Sequence, residues 1–243
     1  MPVVIQNADP SVDLPAISRS MFESHETPHQ PFFHAFFPIH GDGGHQARED
    51  AIAEGAVRLQ SWLTQEPRSF WQKAVDSDTG RVVGAALWYV YQQDPFADDQ
   101  HDMEVTWFPN DGSRRFAEQF LEIYDKPRLW AGRRPQVYLF ILFVDPEYRC
   151  QGIGSRLLKW GIDKADDMAV EMFLDSTSEG KPLYEKHNFH VVQKNVISPQ
   201  TDNPDEAWKE TQAKVGDTSW WLMWRPVGGE YQEGVTVKPW EDK

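Results

Sequence analysis

The feature that most constrains the fold is an apolar run that stops at a proline and leads, after a short turn, into a glycine-bearing amphipathic segment. Residues 137–144 are continuously apolar, which predicts a strand buried on both faces. Asp145 and Pro146 end this run, and apolar side chains then recur at helical spacing over residues 153–168. A buried strand that passes directly into a helix is typical of folds that mix sheet and helix along the chain.

Patterns on both sides of this unit predict further strands and helices. Aromatic and β-branched residues fill positions 71–75 and 82–91, and the polar turn between them favours an antiparallel hairpin. The order of elements predicts a mixed α/β fold with a central, partly parallel twisted sheet flanked by helices. The other predicted elements are strands at 3–5, 170–174, 190–196 and 220–224, and helices at 10–22, 46–63, 113–124 and 183–187.

The chain carries no internal repeat and no Ser- or Gly-rich linker of the kind that separates independent domains. We therefore expect residues 1–243 to form a single domain. Two segments, at about 92–135 and 199–216, are rich in charge or proline and interrupt the succession of strands and helices. We interpret both segments as insertions.

Charge and cysteine content exclude several classes of partner and site. The chain has 24 Lys and Arg residues against 38 Asp and Glu residues, and the net charge of −14 disfavours binding to nucleic acid or anionic lipid. Cys150 is the only cysteine, so neither an intrachain disulfide nor a multi-cysteine zinc site is possible. No apolar run is long enough to span a bilayer, and we expect a cytoplasmic protein without membrane contact.

The start of the helix predicted at 153 has the chemistry of an anion site. The first N–H groups of a helix have no acceptor within the helix, and the helix dipole adds partial positive charge there. Gly152 and Gly154 have no Cβ atom to obstruct an approaching phosphate. We therefore expect the amides of residues 151–155 to hold a phosphate or pyrophosphate.

Two motifs identify a known family. Arg149, Gly152 and Gly154 fill the fixed positions of a strand-to-helix motif that resembles the acetyl-CoA signature of the GNAT N-acetyltransferase superfamily. About 30 residues later, the segment 180–189 resembles the "LYEKxGF" stretch of the same superfamily. Asn188 replaces the usual glycine there, and asparagine is the residue next best able to adopt a left-handed conformation.

The resemblance implies acetyl transfer from acetyl-CoA to an amine, with direct attack in a ternary complex and no metal. It implies that the strand at 137–144 leaves its neighbour and that its backbone near Phe143 and Val144 pairs with the pantetheine arm. Tyr184 occupies the position at which the family often has a general acid. The residues expected to contact acetyl-CoA are Phe143, Val144, Arg149, Cys150, Gln151, Gly152, Ile153, Gly154 and Ser155.

The resemblance places neither the general base nor the acceptor. The acidic residues Asp102 and Glu104, with His101, lie in the first insertion, and we take Glu104 as the candidate base. The acceptor is an amine of a small molecule or a peptide, for which the negative net charge favours a cationic partner. The oligomeric state is left open.

The sequence also admits three other interpretations of its function. A CoA-binding module without catalytic activity would share the anion site. An NAD(P)-dependent oxidoreductase would use Gly152 and Gly154 with Asp175 as the ribose acid, but Leu157 stands where its third glycine belongs. Residues 25–29 match the zinc motif H-E-x-x-H, although Pro28 is incompatible with the continuous helix that this motif needs.

Overall fold

A computed structural model of the chain describes residues 2–97 and 105–241. Its regular elements bear out most of the boundaries predicted above. The strands are β1 (Val3–Asn7), β2 (Ser69–Asp76), β3 (Val82–Tyr91), β4 (Gln136–Val144), β5 (Glu171–Ser176), β6 (His190–Ile197) and β7 (Thr218–Arg225). The helices are α1 (Pro10–Glu26), α2 (Phe33–Phe36), α3 (His45–Gln65), α4 (Gly112–Ala131), α5 (Ile153–Met168), α6 (Lys181–Glu185) and α7 (Glu206–Val215).

The described strands form one sheet of seven strands in the order β1-β2-β3-β4-β5-β7-β6. Strands β4 and β5 run parallel, with α5 as the crossover between them, and the other neighbouring strands are antiparallel. The predicted mixed α/β fold with a partly parallel sheet is therefore confirmed. Since α5 connects two parallel neighbours, its first turn lies at the edge where β4 ends.

The parallel pair is short. Strands β4 and β5 are in register only from Gln136 opposite Glu171 to Leu139 opposite Leu174, whereas β4 continues to Val144. On its other side β4 stays paired with β3 as far as Val144, with a register shift opposite Leu87 and Trp88. A gap therefore opens in the sheet beyond Leu139, bounded by β4 on one side and β5 on the other.

The two faces of the sheet pack against different surroundings. Leu139 and Leu174 belong to the apolar cluster that also contains Leu157 of α5. Tyr138 and Phe173, the preceding residues of the two strands, belong to a cluster on the opposite face. Side chains alternate along β5, so Asp175 lies on the face of Phe173. On β4 the alternation is interrupted at Phe140, which has no partner in the register with β3.

The segments interpreted as insertions contain helices that the sequence analysis shortened or missed. Helix α4 begins near the predicted position but extends seven residues further to Ala131, with Pro127 buried inside it. Helix α7 begins after Asp205, whose carboxylate accepts a hydrogen bond from the Trp208 N–H at 2.9 Å. The Trp208 ring packs edge-on against Phe116 of α4 at 5.2 Å, and this tertiary contact gives α7 its buried face.

No helix within the described part of the chain is both long enough and apolar enough to cross a membrane.

Close packing of α5 on the sheet generates a prediction at Gly161. A Cβ atom on this residue would lie 2.3 Å from Cη2 and Cζ3 of Trp88, whose ring is fully buried. Alanine is favoured over glycine in a helix by about 1 kcal/mol, so a purely local effect would stabilise the protein. We expect Gly161→Ala instead to lower the free energy of unfolding by about 1–3 kcal/mol, because the overlap outweighs that gain.

Urea denaturation measures this change. Asp167→Ala, at an exposed position of the same helix, is the control, and its stability is expected to stay within about 0.5 kcal/mol of the parent protein. A Gly161→Ala protein as stable as the parent would contradict the packing described here.

Candidate active site

The gap between β4 and β5 opens into a cavity of about 560 Å³. Its walls include residues 139–144 of β4, the first turn of α5, and side chains from α1, α2, α4 and α6. The cavity therefore lies at the carboxyl ends of the two parallel strands, where crossover connections leave a crevice.

One wall of the cavity is an unpaired strand edge. The Asp145 N–H donates to the Val83 carbonyl of β3 at 2.9 Å, so the backbone groups of Val144 and Leu142 point away from β3 and into the gap. The Val144 carbonyl accepts a hydrogen bond from Arg149 Nε at 3.0 Å. The edge thus offers the N–H groups of Leu142 and Val144 and the carbonyl of Leu142 to a ligand.

This geometry changes the expectation for Phe143. By the same alternation, the backbone of Phe143 faces β3, and only its neighbours Leu142 and Val144 present backbone groups to the gap. Phe143 lines the cavity with its side chain, which lies 6.4 Å from the His25 ring between centroids. Of the two residues expected to pair with pantetheine, Val144 directs its N–H group into the gap and Phe143 does not.

The first turn of α5 forms the second wall. Gly152 caps the helix with φ +78°, in the left-handed region, and no atom lies within 4 Å of the position that its Cβ would occupy. The first helical hydrogen bond runs from the Arg156 N–H to the Gly152 carbonyl, so the N–H groups of Ile153, Gly154 and Ser155 precede it. None of these amides donates to an acceptor among the described residues, so they can hold an anion.

The flanking residues support this turn. Cys150 is exposed and has φ +60°, and the Gln151 amide donates to the Glu147 carbonyl at 3.2 Å. The Ser155 hydroxyl lies 2.9 Å from His187 Nε2. Gly154 lies against α6, since a Cβ there would be 3.0 Å from Leu183 Cδ2. The two halves of the sequence motif, 149–154 and 180–189, therefore meet in one site.

Arg149 acts differently from the other residues of the motif. Its guanidinium donates to three backbone carbonyls, of Val144 at 3.0 Å, Thr27 at 3.0 Å and Ser24 at 2.6 Å. These bonds tie the turn between β4 and α5 to the end of α1. Arg149 was expected to contact acetyl-CoA, but its guanidinium is bonded to the protein backbone. We therefore describe Arg149 as a positioning residue.

Tyr184 of α6 lines the cavity, as expected for a residue near the reacting atoms. Its ring is 7% exposed and packs edge-on against Phe189 at 6.0 Å. Burial raises its pKa above the ordinary value of 10.0, so the phenol is neutral at physiological pH. Within the described part of the chain its hydroxyl makes no hydrogen bond, which leaves it available to a ligand.

Glu104, the candidate base, lies outside the described residues together with His101 and Asp102.

The structure reveals an acidic residue in the cavity wall that sequence analysis considered only as a ribose acid. Asp175 is near the end of β5, next to the point where β4 separates from it. Its Oδ2 atom accepts a hydrogen bond from the Tyr138 hydroxyl at 3.0 Å, and its buried Oδ1 atom has no partner among the described residues. The one signal in the sequence is a carboxylate that follows the predicted strand 170–174.

Aromatic side chains form the wall opposite α5. Phe32 packs edge-on against Trp220 at 4.6 Å, and Trp220 against Tyr124 at 5.4 Å. Other rings that line the cavity are Phe33, Phe36, Phe37, Trp62 and Phe140. This half of the cavity is apolar and suited to a ring or an aliphatic body.

His25 belongs to the same wall. It stacks on Phe33 at 4.3 Å, and its Nδ1 donates to the Met21 carbonyl at 2.7 Å. Burial lowers its pKa to about 4, so the imidazole is neutral at physiological pH. Helix α1 ends at Glu26, one residue after His25, so His25 and His29 do not share a helix face as the zinc motif would need.

The chain was compared with families, curated proteins and solved structures. The acetyltransferase (GNAT) family model matches residues 30–189. The uncharacterized N-acetyltransferase YafP of Escherichia coli (strain K12) is 36% identical over 64 residues, which are 26% of this chain and 40% of YafP. The match therefore spans less than half of that relative.

Solved structures share the fold at low sequence identity. The polyamine N-acetyltransferase of Drosophila melanogaster matches with a TM-score of 0.61 and 14% identity over 92% of this chain and 99% of its own. A mosquito arylalkylamine N-acetyltransferase-like protein matches with a TM-score of 0.60 and 15% identity over the same shares. The family match, the two-part motif and the opened parallel pair agree, and the chain belongs to the GNAT acetyltransferase family of acyltransferases.

Proposed function

We propose that the protein transfers the acetyl group of acetyl-CoA to an amine, which attacks the thioester directly in a ternary complex. The observation that carries this proposal is the meeting of three groups in one cavity: the first amides of α5, the edge of β4 beyond Leu139 and the hydroxyl of Tyr184. None of the three is bonded to another described residue where it faces the cavity. A module that only binds CoA would need the first two groups and not the third.

The residues present fit acetyl-CoA as the donor substrate. The amides of Ile153, Gly154 and Ser155 would hold the pyrophosphate, with Gly152 and Gln151 at the entrance. The edge of β4 at Leu142 and Val144 would pair with the amide groups of pantetheine as an added strand does. When bound, acetyl-CoA supplies an activated acyl group on a thiol leaving group.

The backbone of β4 and Tyr184 supply the chemistry around the thioester. An N–H group of the β4 edge stabilises the negative charge that develops on the carbonyl oxygen, and one such fixed donor contributes about 3–4 kcal/mol. Tyr184 retains its proton because burial raises its pKa. It can therefore protonate the departing sulfur.

The aromatic half of the cavity favours an acceptor whose amine is attached to an apolar group. The walls there are aromatic, whereas the net charge of −14 attracts a cation from solution. The two structural relatives named above act on polyamines or are similar to enzymes of arylalkylamines. A test panel therefore includes 2-phenylethylamine, tryptamine, agmatine and spermidine. A reducing compartment such as the cytoplasm suits the exposed thiol of Cys150.

Calorimetry with acetyl-CoA, followed by release of free CoA thiol with each amine of the panel, tests the proposal. Binding with turnover of at least one amine is the expected result. Binding without any turnover would favour the inactive CoA module instead. Absence of binding at millimolar acetyl-CoA, with stabilisation by NAD(P), would refute the proposal.

We predict that Gly152→Ala weakens acetyl-CoA binding by about tenfold or more, because its Cβ would enter the space that the phosphate needs. Gly80→Ala is the matched control: Gly80 has φ +74° and, like Gly152, no atom within 4 Å of its Cβ position. Both variants carry the same backbone strain, of about 1–2 kcal/mol. Calorimetric affinity should fall in Gly152→Ala alone, and an equal effect in both would show that strain, and not the anion site, is responsible.

We predict that Tyr184→Phe lowers kcat by about 10²-fold and changes the Kd of acetyl-CoA little, because the lost hydroxyl donates a proton and does not hold the donor. Tyr231→Phe, a tyrosine that does not line the cavity, is the control. Steady-state kinetics and calorimetry on the same preparations measure the two quantities. Full activity in Tyr184→Phe would remove the acid role.

A further inference from the structure

Resting on the proposed function, we propose that Asp175 is the general base that takes the proton from the acceptor ammonium. The proposed function names a general acid and a donor site but no general base, and this role supplies one. It also indicates where the acceptor nitrogen binds, at the end of β5 and next to the gap in the sheet.

The position of Asp175 places it on the acceptor side. Asp175 follows Leu174, the last β5 residue in register with β4, so it lies where the gap begins. It shares a sheet face with Phe173 by alternation, whereas Leu174 packs toward α5. Tyr184 belongs to the α5 cluster. The acid and the base therefore lie on opposite faces of the sheet, so different residues serve the departing sulfur and the incoming amine.

The contacts of Asp175 leave one oxygen atom for the substrate. Oδ2 accepts from the Tyr138 hydroxyl at 3.0 Å, and that hydroxyl lies 3.4 Å from the hydroxyl of Tyr124. Oδ1 is buried and makes no hydrogen bond to the described residues, although the side chain lines the cavity. A buried carboxylate oxygen without a donor is costly unless a ligand or water supplies one. An ammonium N–H is such a donor.

The surroundings of Asp175 bring its pKa close to neutral pH. Burial raises its pKa from 3.8 to about 7. The Arg128 charge, the Tyr138 hydrogen bond and the nearby Tyr124 hydroxyl oppose this rise, and the Asp125 charge adds to it. The Arg128 guanidinium lies 4.2 Å from the Tyr138 ring centroid and pairs with Asp125 at 3.0 Å. A base with a pKa near the working pH is partly ionised and still strong enough to accept a proton.

His25, a second titratable group beside the acceptor side of the cavity, is a weaker candidate. Its Nδ1 proton is engaged by the Met21 carbonyl, and its pKa of about 4 makes it a poorer proton acceptor than Asp175. Its stacking on Phe33 fits a role in shaping the acceptor pocket.

The protons balance as follows. The ammonium R–NH₃⁺ gives one proton to Asp175, and the freed lone pair forms the C–N bond while the C–S bond breaks. Tyr184 gives its proton to the departing sulfur, and the second proton lost from nitrogen replaces it by way of solvent. Asp175 then releases its proton to solvent, so the sum is one amide, one thiol and one released proton. No oxidant, reductant or further reactant is needed.

The test compares Asp175→Asn with the parent protein, with acetyl-CoA as donor and 2-phenylethylamine as acceptor. We expect kcat/KM to fall by 10²-fold or more at pH 7, an effect typical of a lost general base, with the Kd of acetyl-CoA unchanged. In the parent protein kcat/KM should rise with pH through a midpoint near 7, because only ionised Asp175 accepts a proton. That limb should be absent from the variant. Asp167→Asn, on the exposed side of α5, is the control and should retain the parent profile.

A second acceptor separates proton removal from a structural effect. O-Benzylhydroxylamine is an amine of similar shape that is uncharged at neutral pH and has no ammonium proton to lose. We expect the deficit of Asp175→Asn to shrink at least tenfold with this acceptor. An equal deficit with both acceptors would overturn the proposal, because a distorted site would slow both alike.

Tyr138→Phe provides a variant that keeps the carboxylate. Loss of the Tyr138 hydrogen bond should move the rising limb of kcat/KM to higher pH, since that bond lowers the pKa of Asp175. The limiting rate at high pH should be retained. An unchanged midpoint would contradict the assignment of this limb to Asp175.

A carboxyl ¹³C NMR titration of the parent protein and Asp175→Asn covers the case in which no amine of the panel reacts. The parent spectrum should contain one aspartate with a midpoint near 7 that the variant lacks, and a midpoint near 3.8 would overturn the proposal. The proposed function fails separately, if the parent protein binds no acetyl-CoA. Binding and turnover by the parent with equal activity of Asp175→Asn would refute the base alone.

Discussion

The separation of β4 from β5 after four paired residues is the constraint on which the site depends. Parallel strands normally satisfy each other's backbone groups along their whole length. Here β4 continues for five residues with one edge unpaired, from Phe140 to Val144. Those backbone groups need partners, and a ligand with amide groups of its own can supply them. The cavity is thus a consequence of incomplete strand pairing.

Arg149 keeps this open arrangement in place. Its three hydrogen bonds join the end of β4 to the end of α1 and fix the turn that precedes Gly152. A guanidinium suits this task because its planar fork directs several N–H groups at once. The arginine of the motif therefore fixes the shape of the backbone before Gly152, while the first turn of α5 faces the cavity.

The two sides of the gap differ in chemistry. On the α5 side lie the amides of residues 153–155 and the hydroxyl of Tyr184, which suit an anionic thioester donor. On the other side lie aromatic rings and the half-buried carboxylate of Asp175, which suit a cation on an apolar body. Because a strand sends successive side chains to opposite faces, one short stretch of β4 and β5 contributes to both sides of the gap.

The sequence by itself determined the local units. The strand at 137–144, the helix at 153–168 and the turn between them depend on residues close in the chain, so pattern and glycine placement predicted their bounds to within a residue. Helix α7 and the full length of α4 were missed because contacts such as Trp208 with Phe116 stabilise them.

Only the tertiary structure decided which residues share the cavity. Asp175, Tyr138 and Tyr124 lie on β5, β4 and α4 and are up to about 50 residues apart in sequence, so no spacing rule could join them. The hydrogen bonds of Arg149 to three carbonyls also depend on how distant segments meet. So does the strand register, which turns the backbone of Leu142, and not that of Phe143, toward the gap. Sequence patterns specify the individual helices and strands. Burial and strand register specify which polar groups lack hydrogen-bond partners, and those groups form the candidate site.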